Sequence, residues 1–408
     1  MELKNLFQNF VEAQPEFIKE FREKSFDDFE ILNSENSEIF KNDTHFNNFD
    51  FDINPNGNQN NIELNKNSDV VVCEIQEMID KFPSEFRRFL TMSDDKFLNL
   101  NNALFNSGFY IYVPKNIQVE QPIVIKRDVN ENTFSKLIIL VDSNSSVNIL
   151  EENNSSDQPL ICSDSTEIIL RDNSKLNFSS IQNFGRGTTH FSNRNARCQK
   201  DSQMFWNIGL FGGERTRSRI ANNLQGVGSS CDNIELVFSD GSQKIDMFSS
   251  LLHFGNNTTG KIMSKGIHKD KSSAIFKGMI RIESVAKNAN SFLAQHAMLL
   301  SKEANAKAIP GLEIENNDVK ATHAASVSQI DEEKIFYLMS RGLDEDTAKK
   351  LVVFGFFDPL ITRIPDDAVR EKILNILDQK WAGKSLDYES VEKNSDFADT
   401  FEGHYKYR

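Results

Sequence analysis

The sequence predicts a mostly β protein in which a solenoid of stacked strands lies between two helical regions. Three observations support this fold class. Apolar residues recur at helical spacing through residues 1–105, apart from an Asn-rich stretch at residues 33–68. Short apolar or alternating runs, separated by turn residues, fill residues 106–325. Helical spacing returns in residues 326–408, which end in a polar tail.

The first region begins with apolar residues at helical spacing up to about residue 32. The Asn-rich stretch that follows holds 12 Asn in 36 positions and has few apolar residues. Because such a composition buries too little surface to order strongly on its own, we expect a loop or a poorly ordered linker there. Helical spacing resumes near Cys73 and continues to about residue 105.

Turn residues give the middle region its predicted architecture. Between residues 256 and 305 the turns recur at intervals of about 13 to 18 residues. A loosely regular interval of this kind favours the stacked strands of a solenoid over a sandwich. The individual strands do not repeat closely in sequence, so the prediction depends on the spacing of the turns.

Capping residues mark the helices of the third region. Asp331 is a good N-cap for the segment EEKIFYLMS, and Gly342 is a good C-terminal stop for the same helix. Asp344 is placed to cap a second helical segment, EDTAKKLVVFGFF. We therefore expect helices from about residue 331 onward.

Composition excludes several classes of function. The net charge is −14 and the basic residues form no long block, so a nucleic-acid partner is not expected. No apolar run approaches the roughly 20 residues of a membrane span, and the N-terminus lacks the pattern of a signal peptide. We therefore expect a cytoplasmic protein without a membrane partner. The four cysteines lie far apart with no C-x-x-C, which predicts buried thiols.

Two motif matches are weak. Residues 52–63 satisfy the formal EF-hand pattern, but the segment lies in the Asn-rich stretch and only two of its ligand positions are charged. Residues 255–262 resemble a phosphate-binding loop, but Ile262 replaces the hydroxyl residue that would hold magnesium, and another strand is expected to follow. The sequence therefore predicts no ATP site of its own, and no motif predicts an enzyme.

Histidines are the remaining candidates for metal chemistry. His323 lies between small residues in the stretch KATHAAS, which leaves its imidazole accessible to a close-packed partner or to a metal. One imidazole cannot make a metal site, so other ligands would have to come from elsewhere in the fold or from another chain. His253, His268 and His296 lie in or beside strand-like runs, where a histidine with one hydrogen bond is the expected role.

The stretch GLEIENNDVKATHAASVSQIDEEKIFYLMSRG, residues 311–342, resembles the C-terminal signature of the SufB/SufD family of iron-sulfur cluster assembly scaffolds. Weaker similarity extends over about residues 95–360. The resemblance implies a right-handed parallel β-helix flanked by helical regions. It also implies a complex with a SufB-like subunit and a SufC-like ABC ATPase, and a transient iron-sulfur cluster at a subunit interface.

Departures from the family pattern favour a SufD-like subunit over a SufB-like one. SufB-like sequences have Glu after the signature histidine, where this chain has Ala324, and their cysteine in a QCDSLL-like strand matches His296 here. The resemblance implies that His323 is a cluster ligand and leaves His296 as a second candidate. Ala321 stands where SufD-like sequences often have Cys, so a neighbouring thiol that could assist is absent.

The resemblance further implies that the C-terminal helices dock the ATPase. The residues implicated are Ile335, Phe336, Met339, Arg341, Leu351 and Phe354. Two alternatives remain open at this point. One is a SufB-type scaffold that acts as a homodimer, and the other is a β-solenoid binding or structural protein without metal chemistry.

Overall fold

The structure is a computed structural model in which the chain divides into two units, one ending at Ile330 and the other beginning at Asp331. Each unit is described by itself. The described residues are 2–12, 14–47, 61–64, 69–90 and 93–383. Most of the EF-hand-like segment and the whole of the polar tail therefore lie outside the described residues.

Two sheets that face each other form the body of the first unit. Even-numbered strands from β4 to β18 make one sheet and odd-numbered strands from β3 to β17 make the other, with parallel pairing throughout. The strands are β3 Ser107–Val113, β4 Ile123–Val129, β5 Thr133–Val141, β6 Ser146–Ser155, β7 Leu160–Leu170, β8 Lys175–Asn183, β9 Thr188–Cys198, β10 Gln203–Leu210, β11 Arg215–Leu224, β12 Ser230–Ser239, β13 Lys244–His253, β14 Thr259–His268, β15 Ser273–Ile282, β16 Ala289–Leu299, β17 Asn305–Ile314 and β18 Val319–Gln329. This confirms the predicted parallel β-helix, which has about eight turns.

Alternation along each strand divides the side chains between the interior of the solenoid and its outer faces. In β7, Ile168 and Leu170 belong to the core between the two sheets, whereas Ile161 and Ile169 face the N-terminal helices. Trp206 is the largest fully buried side chain, and its indole N–H donates to Asn222 Oδ1 at 2.8 Å. The interior is therefore a packed core rather than an open tube.

Asparagines form the tight corners between successive turns of the solenoid. Asn116, Asn144 and Asn173 have φ angles of 65°, 60° and 57°, the left-handed conformation that Asn tolerates better than most residues. Their side chains stack in a ladder, because Asn144 Nδ2 donates to Asn116 Oδ1 and Asn173 Nδ2 donates to Asn144 Oδ1, at 2.9 and 3.0 Å. The partners lie 28 and 29 residues apart, which is the length of one turn of the solenoid.

Helices cover the outer face of the odd-numbered sheet near its N-terminal end. Two short antiparallel strands lie at this end, β2 beside β3 in the odd-numbered sheet and β1 beside β4 in the even-numbered sheet. Arg22 joins these helices to one another, since its guanidinium donates to the carbonyl oxygens of Ala103 and Phe105 at 2.8 and 2.7 Å. The elements are α1 Glu2–Glu12, α2 Glu16–Ile31, β1 Asn61–Leu64, β2 Val71–Glu74, α3 Ile75–Lys81, α4 Pro83–Arg87 and α5 Lys96–Leu104.

Residues 33–47 contain no helix or strand, but they pack against the odd-numbered sheet. Phe40 and Phe46 are buried, and Glu35 forms ion pairs with Arg219 and with Lys277, whose Nζ lies 2.9 Å from Glu35 Oε2. This part of the Asn-rich stretch is therefore a loop, one of the two expected forms, and it packs against the sheet. Two aromatic anchors and a buried ion pair hold it to the sheet, which a low apolar content does not predict. Residues 48–60 and 65–68 lie outside the described residues.

The second unit begins with helices whose N-caps agree with the sequence. Asp331 accepts from the backbone N–H groups of Glu333 and Lys334, and Asp344 accepts from that of Thr347. None of the described helices combines the length and apolar composition that crossing a membrane requires. The helices are α6 Glu332–Ser340, α7 Glu345–Ile361 and α8 Asp367–Trp381.

Candidate functional site

The candidate site is the last turn of the solenoid, formed by β17 and β18 and called the end rung below. Each of these strands is the last of its sheet, so one edge of each has no strand beside it among the described residues. Eight of the eleven residues of β18 are exposed and none is buried, in contrast to the buried strands of the middle turns. An exposed strand edge offers backbone N–H and C=O groups to another chain.

His323 lies on the end rung, in the middle of β18. Its ladder neighbour in β16 is Leu293, a core residue, and it shares a face with Val319 and Ala321, which pack against the core. His323 is therefore on the inward face of the sheet. Its imidazole is nevertheless exposed, because β17 and β18 are not covered by a further turn.

His296 lies on the opposite face of the same sheet. It pairs with Ser326 in the ladder, and its Nδ1 lies 2.7 Å from Ser326 Oγ. Burial and then the charge of Lys265 lower the pKa of His296, so the neutral imidazole is favoured. Ser326 follows His323 by three positions, and an odd offset places side chains on opposite faces of a strand. The structure therefore does not bring His296 and His323 together at one ion.

Cysteines are absent from the end rung. Cys162, Cys198 and Cys231 are buried and Cys73 is half-buried, which agrees with the expected buried thiols. Burial is the largest cause that raises the pKa of each of these thiols, for Cys198 to about 12. Protonated thiols of this kind are poor ligands as they stand. The end rung therefore presents an imidazole but no thiolate.

A group of ligand-type residues that the sequence reasoning missed lies inside the solenoid. Cys162 and Asp164 on β7 and His190 on β9 are buried, and one ligand atom from each lies within 4.8 Å of the others. Burial alone would raise the pKa of Asp164, but the charge and hydrogen bond of His190, together with Arg194 and Arg127, hold it far below its ordinary value. A signal was present in the sequence, since Cys162 and His190 are 28 positions apart, one turn of the solenoid, and are ladder neighbours.

The six residues implicated in ATPase docking differ in their exposure. Phe336 is 72% exposed, Met339 41% and Leu351 38%, and Arg341 is also at the surface. Ile335 and Phe354 are 2% and 6% exposed, so they stabilise the helices and are not available as surface contacts.

Tyr337 is also exposed but was not among the six residues implicated in ATPase docking. It is 56% exposed, and its hydroxyl accepts a hydrogen bond from Arg341 Nη2 at 3.1 Å. The Arg341 guanidinium also lies 5.2 Å from the centroid of the Tyr337 ring. Its position beside Phe336 was the available signal.

Comparison with known families agrees with this architecture. The family model described as "SUF system FeS cluster assembly, SufBD core domain" matches residues 124–356, more than half of the chain. The model described as "SufBD protein N-terminal region" matches residues 67–125. The core-domain match begins in β4 and ends in α7.

Individual relatives support the same assignment. The chain is 33% identical to the iron-sulfur cluster assembly protein SufD of Bacillus subtilis over 295 residues, which is 71% of this chain and 68% of that protein. It is 28% identical over 308 residues to iron-sulfur cluster assembly SufBD family proteins of Staphylococcus saprophyticus and Staphylococcus haemolyticus, covering 74% of this chain and 65% of each relative. The chain therefore belongs to the SufB/SufD family of iron-sulfur cluster assembly proteins.

Proposed function

We propose that this chain is the SufD-like subunit of a cytoplasmic SufBCD-type complex, in which it supports assembly of an iron-sulfur cluster at its interface with a SufB-like subunit. The cluster is the cargo of the complex and not a resident cofactor. The observation that carries the proposal is the exposed His323 on an end rung that has no cysteine. Similarity to a SufD protein supports the same subunit role.

The end rung has the properties of a subunit interface. Its two strands leave edges that a partner strand or sheet can cover. Ile314 on β17 and Val327 on β18 are among the exposed large apolar side chains, and burial against a partner would remove them from water. A partner that covers this end would come to lie directly over His323.

Cluster chemistry explains why such a partner is needed. Iron-sulfur clusters are held mainly by thiolates, with histidine as an occasional ligand. His323 provides an imidazole nitrogen, whereas all four thiols of this chain are at least half-buried. The thiolates therefore come from the SufB-like subunit, and His323 completes the ligand set from this side of the interface.

The exposed surface of Phe336, Tyr337, Met339 and Leu351 is proposed to dock a SufC-like ABC ATPase. Exposed apolar side chains that lie close together on helices are a usual feature of protein interaction sites. Residues 255–262 lead into strand β14 and not into a helix, so they lack the strand-loop-helix arrangement of a phosphate-binding loop. ATP hydrolysis is accordingly assigned to the partner.

Co-expression under anaerobic conditions tests the role of His323. The chain is produced with its SufB-like and SufC-like partners as wild type, as His323→Ala and as the control His296→Ala, which alters the opposite face of the same sheet. We expect all three to form the complex and only His323→Ala to lose iron and sulfide. Equal iron and sulfide in wild type and His323→Ala would refute the ligand role, and a chain that binds no partner would refute the subunit role.

A second experiment tests the docking surface. Binding of the purified chain to the SufC-like ATPase is measured for Phe336→Ser and for the control Val285→Ser, since Val285 is 67% exposed and lies on the solenoid. Loss of an aromatic anchor is expected to weaken binding by about tenfold or more. Equal affinity of both variants for the ATPase, or crosslinks confined to the N-terminal helices, would contradict the proposed surface.

A further inference from the structure

Three ligand-type side chains converge inside the solenoid, away from the end rung. Cys162 and Asp164 are two positions apart on β7 and therefore share its inward face, and His190 is the ladder neighbour of Cys162 on β9. One ligand atom from each of the three residues lies within 4.8 Å of the other two, and all three residues are buried. Shifts of about 1 Å in these three atoms would bring them to the distances that separate the ligand atoms of one metal ion.

One nitrogen of this group has no partner. His190 Nε2 lies 2.5 Å from Asp164 Oδ1, and Ser192 Oγ donates to Asp164 Oδ2 at 2.6 Å. His190 Nδ1 is buried but has no hydrogen-bond partner among the described residues. The nitrogen of His190 that faces Asp164 is Nε2, so an ion held by both residues would take the place of this hydrogen bond, and Nδ1 would still have no partner.

The charges around the group are balanced. Glu151 lies between two arginines, with Arg127 Nη1 2.8 Å from its Oε1 and Arg194 Nη2 3.2 Å from its Oε2. With Asp164, the surroundings hold two carboxylates for two guanidinium groups. No surplus positive charge therefore opposes the entry of a cation beside Asp164.

We propose that Cys162, Asp164 and His190 bind one divalent first-row transition-metal ion, Zn²⁺ or Fe²⁺, as a structural site that ties β7 to β9. Sulfur, imidazole and carboxylate ligands together suit these borderline ions and not Mg²⁺ or Ca²⁺. Metal binding replaces the hydrogen bond between His190 and Asp164, and the thiol proton of Cys162 leaves to solvent as the Cys162 sulfur–metal bond forms. The site is independent of His323 and of any partner subunit.

Cobalt provides the test, because a thiolate bound to Co²⁺ gives a charge-transfer absorption band. The full chain is expressed alone in medium with Co²⁺, so that the buried site is loaded as the chain folds. Cobalt content and absorption are measured for the wild type, for Cys162→Val, for the interior control Cys198→Val and for His323→Ala. Valine at position 162 keeps the apolar contacts with Val129, Leu160 and Phe184.

We expect about one cobalt per chain and a thiolate band in the wild type and in both controls. Cys162→Val is expected to lose the band and to bind cobalt more weakly by at least about 100-fold, the upper end of the loss seen when only a hydrogen-bond partner of a ligand is removed. A wild type without bound cobalt, or a Cys162→Val protein that keeps the band, would overturn the proposal. If Cys162→Val does not fold, the wild-type cobalt protein is studied by X-ray absorption spectroscopy. The proposed site requires a sulfur atom bound to cobalt, and a spectrum without a sulfur neighbour would refute the assignment.

Discussion

Two buried histidines are expected to make the stability of the solenoid depend on pH. His253 Nδ1 lies 2.7 Å from Thr258 Oγ1, and His268 Nδ1 lies 2.8 Å from Ser239 Oγ. Burial lowers the pKa of His253 from 6.5 to about 4 and that of His268 from 6.5 to about 3. Both imidazoles therefore stay neutral in the folded chain under conditions in which the unfolded chain protonates them.

The sign and size of the effect follow from proton linkage. Below pH 6.5 the unfolded state binds a proton at each histidine and the folded state does not, so acid favours unfolding until the folded pKa is reached. At about 1.36 kcal/mol per pH unit, His253 accounts for a loss of roughly 3 kcal/mol and His268 for roughly 5 kcal/mol by pH 3. Together these losses are comparable with the whole stability of a typical domain.

Between about pH 6.5 and pH 4.5, carboxylates such as Asp246, whose pKa is lowered, keep their contribution to stability. Groups such as Glu235, whose pKa is raised, and His45, whose pKa is lowered, also contribute to the slope, but equally in every variant, so the difference between variants isolates each histidine.

Urea unfolding is measured across this window for the wild type, His253→Gln, His268→Gln and the exposed control His323→Gln. We expect the slope of each buried variant to be smaller than that of the wild type by up to about 1.4 kcal/mol per pH unit, the contribution of one histidine. An unchanged slope in His268→Gln would refute the reasoning, whatever its absolute stability.

Three other substitutions probe features of the fold, each followed by urea unfolding. Glu35→Gln leaves Lys277 and Arg219 short of a carboxylate and should cost about 3–5 kcal/mol, whereas Glu38→Gln, in an exposed ion pair, should cost less than about 1 kcal/mol; equal costs would mean that Glu35 is not buried. Asn173→Ala keeps a β-carbon at a φ of 57°, which Asn173→Gly removes, so the alanine variant should cost about 1 kcal/mol more than the glycine variant, and the reverse order would contradict the corner conformation. Trp206→Ala should cost about 3–5 kcal/mol, and a cost below 1 kcal/mol would contradict the packed interior.

The fold could be predicted because each of its signals is local. Helical spacing, strand alternation and turn residues depend on positions a few residues apart. The solenoid was recognised from turns every 13 to 18 residues, and each such interval corresponds to one strand, or half of a turn of the solenoid. Asn257, Asp270 and Asn288 explain the regularity, since each has a φ between 55° and 59° and lies at one of these turns.

The buried polar features could not be predicted because they depend on pairs that are far apart in sequence. Glu35 meets Lys277 across 242 positions, and the composition around Glu35 indicates only a loop. Arg194 and Glu151 are 43 positions apart, so neither residue has a neighbour in sequence that marks it as part of an interior charge group. Polar residues in a strand usually indicate an exposed face, and here they lie in the interior because they satisfy one another.

The number of residues in each turn of the solenoid must be known to one residue in order to predict which face of the sheet a candidate histidine occupies. His323 is 30 positions beyond its ladder neighbour Leu293, whereas Cys162 and His190 are separated by 28. Turns of different length cannot be aligned by adding a constant interval, and an error of a single residue moves a side chain to the other face of the sheet. A sequence that indicates both His296 and His323 as candidates therefore cannot tell that only His323 faces inward at the end rung. That distinction requires the register of β16 and β18, and it is the reason why His296→Ala is the matched control for His323→Ala.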